Sequence, residues 1–172
     1  MDKMTSNSKN SNRQVRVLAI IISKLTYLAI GFIIAINIIV FLPPVFGYQV
    51  FDVVSGSMEP AIKTNSIIYV QQVSPENLAQ DDIITYNNNG VITHRVVSND
   101  IAKSQIITKG DANVQNDLFP VSYSNIVGKV CFSIPYAGYY VSLISNLWGK
   151  ILILLVVVVC LLVNEMVKKI LN

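Results

Sequence analysis

Residues 82–98 read DIITYNNNGVITHRVVS, and their texture decides what kind of domain this chain builds. Two runs, Asp82 to Tyr86 and Val91 to Ser98, are rich in β-branched and aromatic side chains, which suit a pleated, half-buried surface. Between them stands Asn87-Asn88-Asn89-Gly90. Asn-Gly is a favoured pair for a tight reversal because both residues tolerate positive φ. The stretch therefore predicts a β-hairpin. Similar short runs flank it: Tyr48 to Val54, Ser66 to Val73, Gln105 to Lys109 and Ile126 to Ser133. Ser74-Pro75-Glu76-Asn77 reads as the start of a brief helix, with Ser74 as cap and Pro75 at the first position. Several short strands at close spacing predict a mainly β fold, a small antiparallel sheet or partial barrel.

Outside the β region the chain changes character. It has 172 residues, 52% of them hydrophobic and 13% charged, whereas charged residues make up about a quarter of an ordinary soluble domain. The apolar excess sits in two segments. Val17 to Leu42 carries one charge, Lys24, near its N-terminal end, where a lysine can snorkel to the headgroups. Pro43-Pro44 then ends the helix. A second segment, Trp148 to Val167, reaches the roughly 20 residues a membrane helix needs, with Trp148 at one interface and Lys168-Lys169 at the other. Asn164 and Glu165 are then expected near the headgroups. The first segment is longer than a signal-peptide core, and PPVFGYQVFD after it offers no small-x-small cleavage site. It reads as a retained anchor.

Basic residues set the orientation. Lys3, Lys9, Arg13 and Arg16 face only Asp2 before the first segment, and Lys168 and Lys169 follow the second. The positive-inside rule puts both termini in the cytoplasm. The expected layout is a basic cytoplasmic tail at 1–16, a transmembrane helix at 17–42, an extracytoplasmic domain at 43–147, a second transmembrane helix at 148–167 and a short cytoplasmic tail at 168–172. The polar residues 1–12 are expected to be disordered. The outer domain has Lys63, Arg95, Lys103, Lys109 and Lys129 against eight acidic residues, Asp52, Glu59, Glu76, Asp81, Asp82, Asp100, Asp111 and Asp117. A net +3 chain thus has a mildly acidic outer domain, which argues against a nucleic-acid partner. Cys131 and Cys160 fall in different segments and are expected as two buried thiols, not a disulfide.

Three stretches carry groups able to do chemistry. Val53-Val54-Ser55-Gly56-Ser57-Met58-Glu59-Pro60 offers Ser57 as a hydroxyl nucleophile, with Gly56 allowing a tight backbone before it. His94, the one histidine, lies in a predicted strand and is the natural general base near neutral pH. Thr108-Lys109-Gly110-Asp111-Ala112-Asn113-Val114-Gln115-Asn116-Asp117 supplies two carboxylates, Asp111 and Asp117, able to orient an imidazole. Each stretch also has a bland reading: loop composition for the serines, a structural strand histidine, turn chemistry for Asp111, and a solvated charge for Asp117. No second histidine or clustered carboxylate set has the spacing of metal ligands, so neither metal nor cofactor is expected.

Taken together, these stretches resemble the boxes of the type I signal peptidases. Ser55-Gly56-Ser57-Met58-Glu59-Pro60 is similar to that family's nucleophile box. Thr93-His94-Arg95-Val96-Val97 resembles its second box. Many bacterial members place lysine there; histidine resembles the endoplasmic-reticulum-type branch, found in archaea, some Gram-positive bacteria and the eukaryotic signal peptidase complex. Thr108-Lys109-Gly110-Asp111-Ala112-Asn113 with Asp117 is similar to the third box of that branch. The boxes fall in the family order, and the resemblance covers Tyr48 to Val130 plus the two-anchor layout. One departure is Asp81-Asp82-Ile83-Ile84, where the family often has glycine before the aspartate.

The resemblance implies a serine endopeptidase in the cell membrane that removes signal peptides from exported preproteins at small-x-small sites. It implies Ser57 as nucleophile and His94 as base. Asp117 is favoured to orient the ring and Asp111 to act nearby, with the choice between them open. The Ser57 N–H and the Ser55 hydroxyl are the implied oxyanion donors. Val53 and Val54 would floor the substrate pockets, on a strand edge to which the substrate adds as a further strand. Partners would be signal peptides, the lipid bilayer, and a translocon or accessory subunit. Two other readings remain open: a self-cleaving peptidase using Lys109 or Lys103 as base, and a membrane-anchored β-domain that binds or scaffolds a partner without catalysis.

Overall fold

In a computed structural model the backbone is described for residues 2–171, and side chains for 13–169 and 171. The chain divides into two compact units, 1–40 with 143–172, and 41–142.

The first unit contains the long helices. Helix α1 spans Asp2–Phe41, starting well before Val17. The polar residues expected to be disordered are helical, because an apolar helix once nucleated propagates outward at little further cost. A later helix, Leu147–Leu171, is numbered α3 below. Stretches Arg13–Phe46 and Leu147–Lys169 are long and apolar enough to cross a membrane by length and composition. Asn146 caps the later helix, its side-chain oxygen accepting the Gly149 N–H at 2.7 Å. Asn164 is 2% exposed and turns toward α1, where the Ser23 and Thr26 hydroxyls each lie 2.8 Å from its oxygen. Such polar contacts hold helices together where water is absent. Glu165 points outward and pairs with Lys168.

The second unit is a curled, fully antiparallel half-barrel of seven strands. These are β1 (Gln49–Asp52), β2 (Ile67–Gln71), β3 (Ile83–Asn87), β4 (Val91–Asp100), β5 (Gln105–Lys109), β6 (Val121–Ser122) and β7 (Ile126–Ile134). The order across the sheet is β1-β2-β7-β3-β4-β5-β6, so β1 and β6 are its edges. Helix α2 (Ala137–Ser145) follows β7, before α3. Register shifts at Tyr69/Val70, Thr85/Tyr86 and Val96/Ser98 mark bulges, which sharpen twist and curl a sheet. At Gly128 a Cβ would come within 2.3 Å of the Gln71 carbonyl oxygen, so β2 and β7 can pass this closely only over a glycine.

Two apolar clusters fill the curl. Leu78, Ile84, Tyr86, Val96, Ile106 and Val121 form one. Met58, Ile62, Ile68 and Val70 form the other. The second cluster includes the residue directly after Ser57.

The predicted hairpin forms, with Asn89 at φ +53° and Gly90 at φ +153°. Two details differ from expectation. Pro75–Asn77 makes only one 3-10 turn, and the Ser74 side chain makes no capping bond. Cys131 is exposed, and Cys160 is only part-buried; both are free. Cys131 sits on β7 in a stretch where both it and Phe132 are exposed.

Candidate active site

Ser57 is positioned by its neighbours' burial. Met58 is 1% exposed, and its side chain anchors the turn that carries the serine into the second cluster. The turn is closed by Glu59 N–H to Gly56 O at 3.0 Å and Ile62 N–H to Met58 O at 2.8 Å. Its far end is tied by the Glu59 carboxylate, which accepts the Thr64 N–H and hydroxyl at 3.2 and 3.0 Å. Those bonds hold the Glu59 carboxyl below the usual range. The Glu59–Pro60 peptide is cis.

The Ser57 carbonyl accepts the Ala112 N–H at 2.9 Å. That bond docks the 110–117 loop directly on the serine's backbone. Gly110 makes the docking possible, since a Cβ there would lie 2.7 Å from the Ser57 carbonyl oxygen. The Ser57 N–H has no acceptor among the described residues. Ser55 Oγ lies 3.4 Å from Ser57 Oγ.

His94 stands on β4 opposite Ile84 of β3. Its Nδ1 is 2.6 Å from Asp117 Oδ2. An ionised carboxylate only accepts, so Nδ1 carries the proton and a neutral ring keeps its lone pair on Nε2. Asp117 is held in turn. The Thr108 hydroxyl donates to Oδ2 at 2.6 Å and the Tyr86 hydroxyl at 3.2 Å. The Asp117 N–H donates to Thr108 O at 2.8 Å. Burial pushes the Tyr86 hydroxyl up to about 12, keeping it a donor throughout the ordinary pH range. The side chains of His94 and Asp117 are 12% and 20% exposed, shielded enough for their contact to be screened little by salt.

Asp111 does not reach His94. Both its oxygens are taken by Arg95, with Nε at 2.8 Å and Nη2 at 2.6 Å, a bidentate pair. Arg95 also donates to the Asp81 carbonyl at 2.7 Å. Asp81, where the resemblance led us to expect glycine, sits at φ +71°, the left-handed conformation that glycine adopts freely. The substitution therefore keeps the glycine-type backbone instead of changing it.

Ser57 and His94 line one cavity of about 280 Å³, together with Val53, Val54 and Ser55. Among the described residues no direct hydrogen bond joins Ser57 to His94. Val53 is bonded across to the 65–66 segment, through its N–H to Ser66 O at 2.9 Å and its O to Asn65 N–H at 2.7 Å. Val54 is 79% exposed. Lys103 pairs with Asp100 at 2.9 Å and is absent from the cavity lining. Lys109 lines a different cavity, beside Arg95 and Asp111.

Sequence reasoning missed Tyr86 and Thr108. Their signal was present in strand parity: on β3 and β4 Ile84 pairs with His94, and on β4 and β5 Val96 pairs with Thr108. Tyr86, His94 and Thr108 therefore share one face of the sheet.

No family model matches the chain. Among curated proteins it is 42% identical over 91 residues to Signal peptidase I W of Bacillus subtilis, an alignment covering 49% of this chain and 47% of that protein. It is 34% identical over 110 residues to the signal peptidase complex catalytic subunit sec11 of Sclerotinia sclerotiorum, covering 55% and 62%. The corresponding subunit of Leptosphaeria maculans is 34% identical over 113 residues, covering 57% and 65%. Over these stretches the chain is similar to signal peptidases of bacterial and fungal origin. The alignments span about half to two thirds of those relatives' own lengths, 47% to 65%.

Proposed function

We propose that this chain is a membrane-anchored serine endopeptidase that removes N-terminal signal peptides from exported proteins at small-x-small sites. The observation that carries the reading is that Ser57 and His94 line one cavity while Asp117 engages His94 Nδ1 and, among the described residues, Nε2 has no hydrogen-bond partner. Ser57 Oγ attacks the scissile carbonyl carbon. His94 Nε2 takes the hydroxyl proton, then gives it to the leaving amine. Asp117 holds the productive tautomer and stabilises the imidazolium that forms. The free Ser57 N–H and the Ser55 hydroxyl receive the developing oxyanion. Asp111 acts indirectly, by fixing Arg95 and with it the loop that docks on Ser57.

The substrate's extended signal-peptide end adds to β1, an edge of the sheet. Val53 and Val54 then shape small pockets that admit small side chains. Arg13–Phe46 and Leu147–Lys169 serve as membrane anchors, with both termini cytoplasmic, the β unit extracytoplasmic, and the cell membrane as the site of action. The partners are signal peptides and lipid, with a translocon or accessory subunit; the fungal relatives are named as subunits of a complex.

The test is cleavage of a preprotein bearing an Ala-x-Ala site by the full chain in detergent or vesicles. Product from the parent and none from Ser57→Ala is expected. Equal behaviour of the two folded proteins would refute the reading.

A further inference from the structure

We propose that a second groove at His94 binds the first residues of the mature protein, those following the scissile bond, and that it disfavours acidic residues there. The inference rests on the peptidase reading above and deepens it.

The chemistry fixes where that part of the substrate must lie. After attack, the acyl side of the substrate stays on Ser57. The leaving amine must sit within hydrogen-bond reach of His94 to receive its proton. The departing chain therefore begins at the imidazole and runs away from the serine. A groove of about 660 Å³ starts there: His94 and Ile92 line it, and both also line the Ser57 cavity. Ser57 itself lines only the latter. The imidazole thus stands where the two spaces meet.

The wall of the groove has the make-up of a peptide cradle. Val114, Leu118 and Phe119 line it, and they are 94%, 89% and 76% exposed. Three large apolar side chains held out on one short loop are costly to leave in water unless something covers them. The amides of Asn88, Asn113, Gln115 and Asn116 also line it, able to donate to and accept from an extended backbone. The lining contains no lysine or arginine, and its one carboxylate, Asp117, is already committed to His94, Thr108 and Tyr86. An aspartate or glutamate placed here would stand beside the Asp117 charge with no lysine or arginine in the lining to meet it. Neutral and apolar residues fit.

The loop is tied at two points; Val114 lies between them in sequence, and Leu118 and Phe119 directly follow the second. Ala112 N–H is fixed to Ser57 O, and Asp117 N–H to Thr108 O. Substrate contact along 114–119 is therefore coupled through short covalent paths to both Ser57 and Asp117.

The experiment uses the full chain in lipid vesicles and preproteins identical through the cleavage site. Their next three residues are either Val-Leu-Ser or Asp-Glu-Ser. The parent should cut the first faster by roughly tenfold, the scale on which pockets discriminate side chains. In Leu118→Ser/Phe119→Ser, which changes only exposed positions, the ratio between the two substrates should fall toward one. Equal rates in the parent, or an unchanged ratio in the double variant, would overturn the inference while leaving the peptidase reading intact. A second measurement does not need turnover. In Ser57→Ala, a photoreactive residue two positions after the cleavage site should crosslink to 114–119. Crosslinks to other strands instead would overturn the proposal, and cleavage by Ser57→Ala equal to the parent would overturn the reading beneath it.

Discussion

Replacing Asp117 with asparagine removes one charge from a contact whose surroundings dictate the size of the effect. Asp117 Oδ2 accepts hydrogen bonds from His94 Nδ1 at 2.6 Å, Thr108 Oγ1 at 2.6 Å and Tyr86 OH at 3.2 Å. Asparagine has one oxygen and one amino group to offer that position. If the amino group faced His94, Nδ1 would have to accept, the ring proton would move to Nε2, and the base would be lost. A wrong tautomer of this kind costs about 10⁴ in turnover in a Ser-His-Asp triad. Here the Thr108 and Tyr86 hydroxyls would also lose their acceptor, so the oxygen is held toward the three donors. What disappears is the charge assistance, about 1.5–3 kcal/mol for a hydrogen bond to an ionised group. That difference is a factor of about 10 to 150 in rate. The expected result for Asp117→Asn is therefore kcat lowered about a hundredfold with KM nearly constant and the fold retained by circular dichroism. A loss below about fivefold would show that the charge does not stabilise the imidazolium. A loss near 10⁴ would show that the asparagine flips and that the two hydroxyls do not govern it.

Four further outcomes follow from the same geometry. His94→Lys should stay below about 1% of parental turnover, because an amine placed beside Asp117 forms an ion pair and stays protonated instead of acting as a base; near-parental cleavage would contradict a His-Asp arrangement. Asp111→Asn keeps the shape but weakens the bidentate Arg95 pair, and should lower stability by about 1–2 kcal/mol after allowance for partial exposure, read as a lower denaturation midpoint. Asp81→Gly relieves a left-handed backbone at φ +71° and should raise the melting temperature, by up to about 1 kcal/mol of stability, with turnover untouched. Tyr86 has its folded value raised to about 12 from about 10 in an unfolded chain, so its contribution is complete below pH about 10 and is lost as pH rises through about 12; Tyr86→Phe should flatten that alkaline decline in a pH series of unfolding midpoints.

The reach of the sequence differed by the distance over which each feature is determined. The 83–100 hairpin and β5 were legible because Asn-Gly chemistry and β-branched runs act within a few residues, and Gln105–Lys109 matches its expected span. β6 was not legible. It is two residues long, and only the pairing of Val121 and Ser122 with Ile106 and Gln105 makes it a strand. α2 was missed because AGYYVSLIS mixes aromatic and β-branched residues that suit either period. The polar start of α1 misled through composition, which reports the lack of a core-forming face but not helix propagation from an apolar neighbour.

The site shows the same division, and its least legible part explains its most legible one. The serine box and the lone histidine stand out locally, but nothing local tells Asp111 from Asp117. Their roles are set by where the 110–117 loop is tied, and both ties are nonlocal: Ala112 N–H to Ser57 O and Asp117 N–H to Thr108 O. The second tie puts the Asp117 carboxylate over the face that Thr108 shares with His94. The first leaves Asp111 beyond the turn, where Arg95, one residue after His94 and so on the opposite face of β4, collects both its oxygens. Strand alternation alone thus sends neighbouring residues 94 and 95 to different carboxylates. Gly110 makes this possible, because any side chain there would strike the Ser57 carbonyl at 2.7 Å and lift the loop from the serine. The glycine between Lys109 and Asp111 is therefore a spacing device: it sets how close the loop carrying the Asp117 carboxylate lies to Ser57.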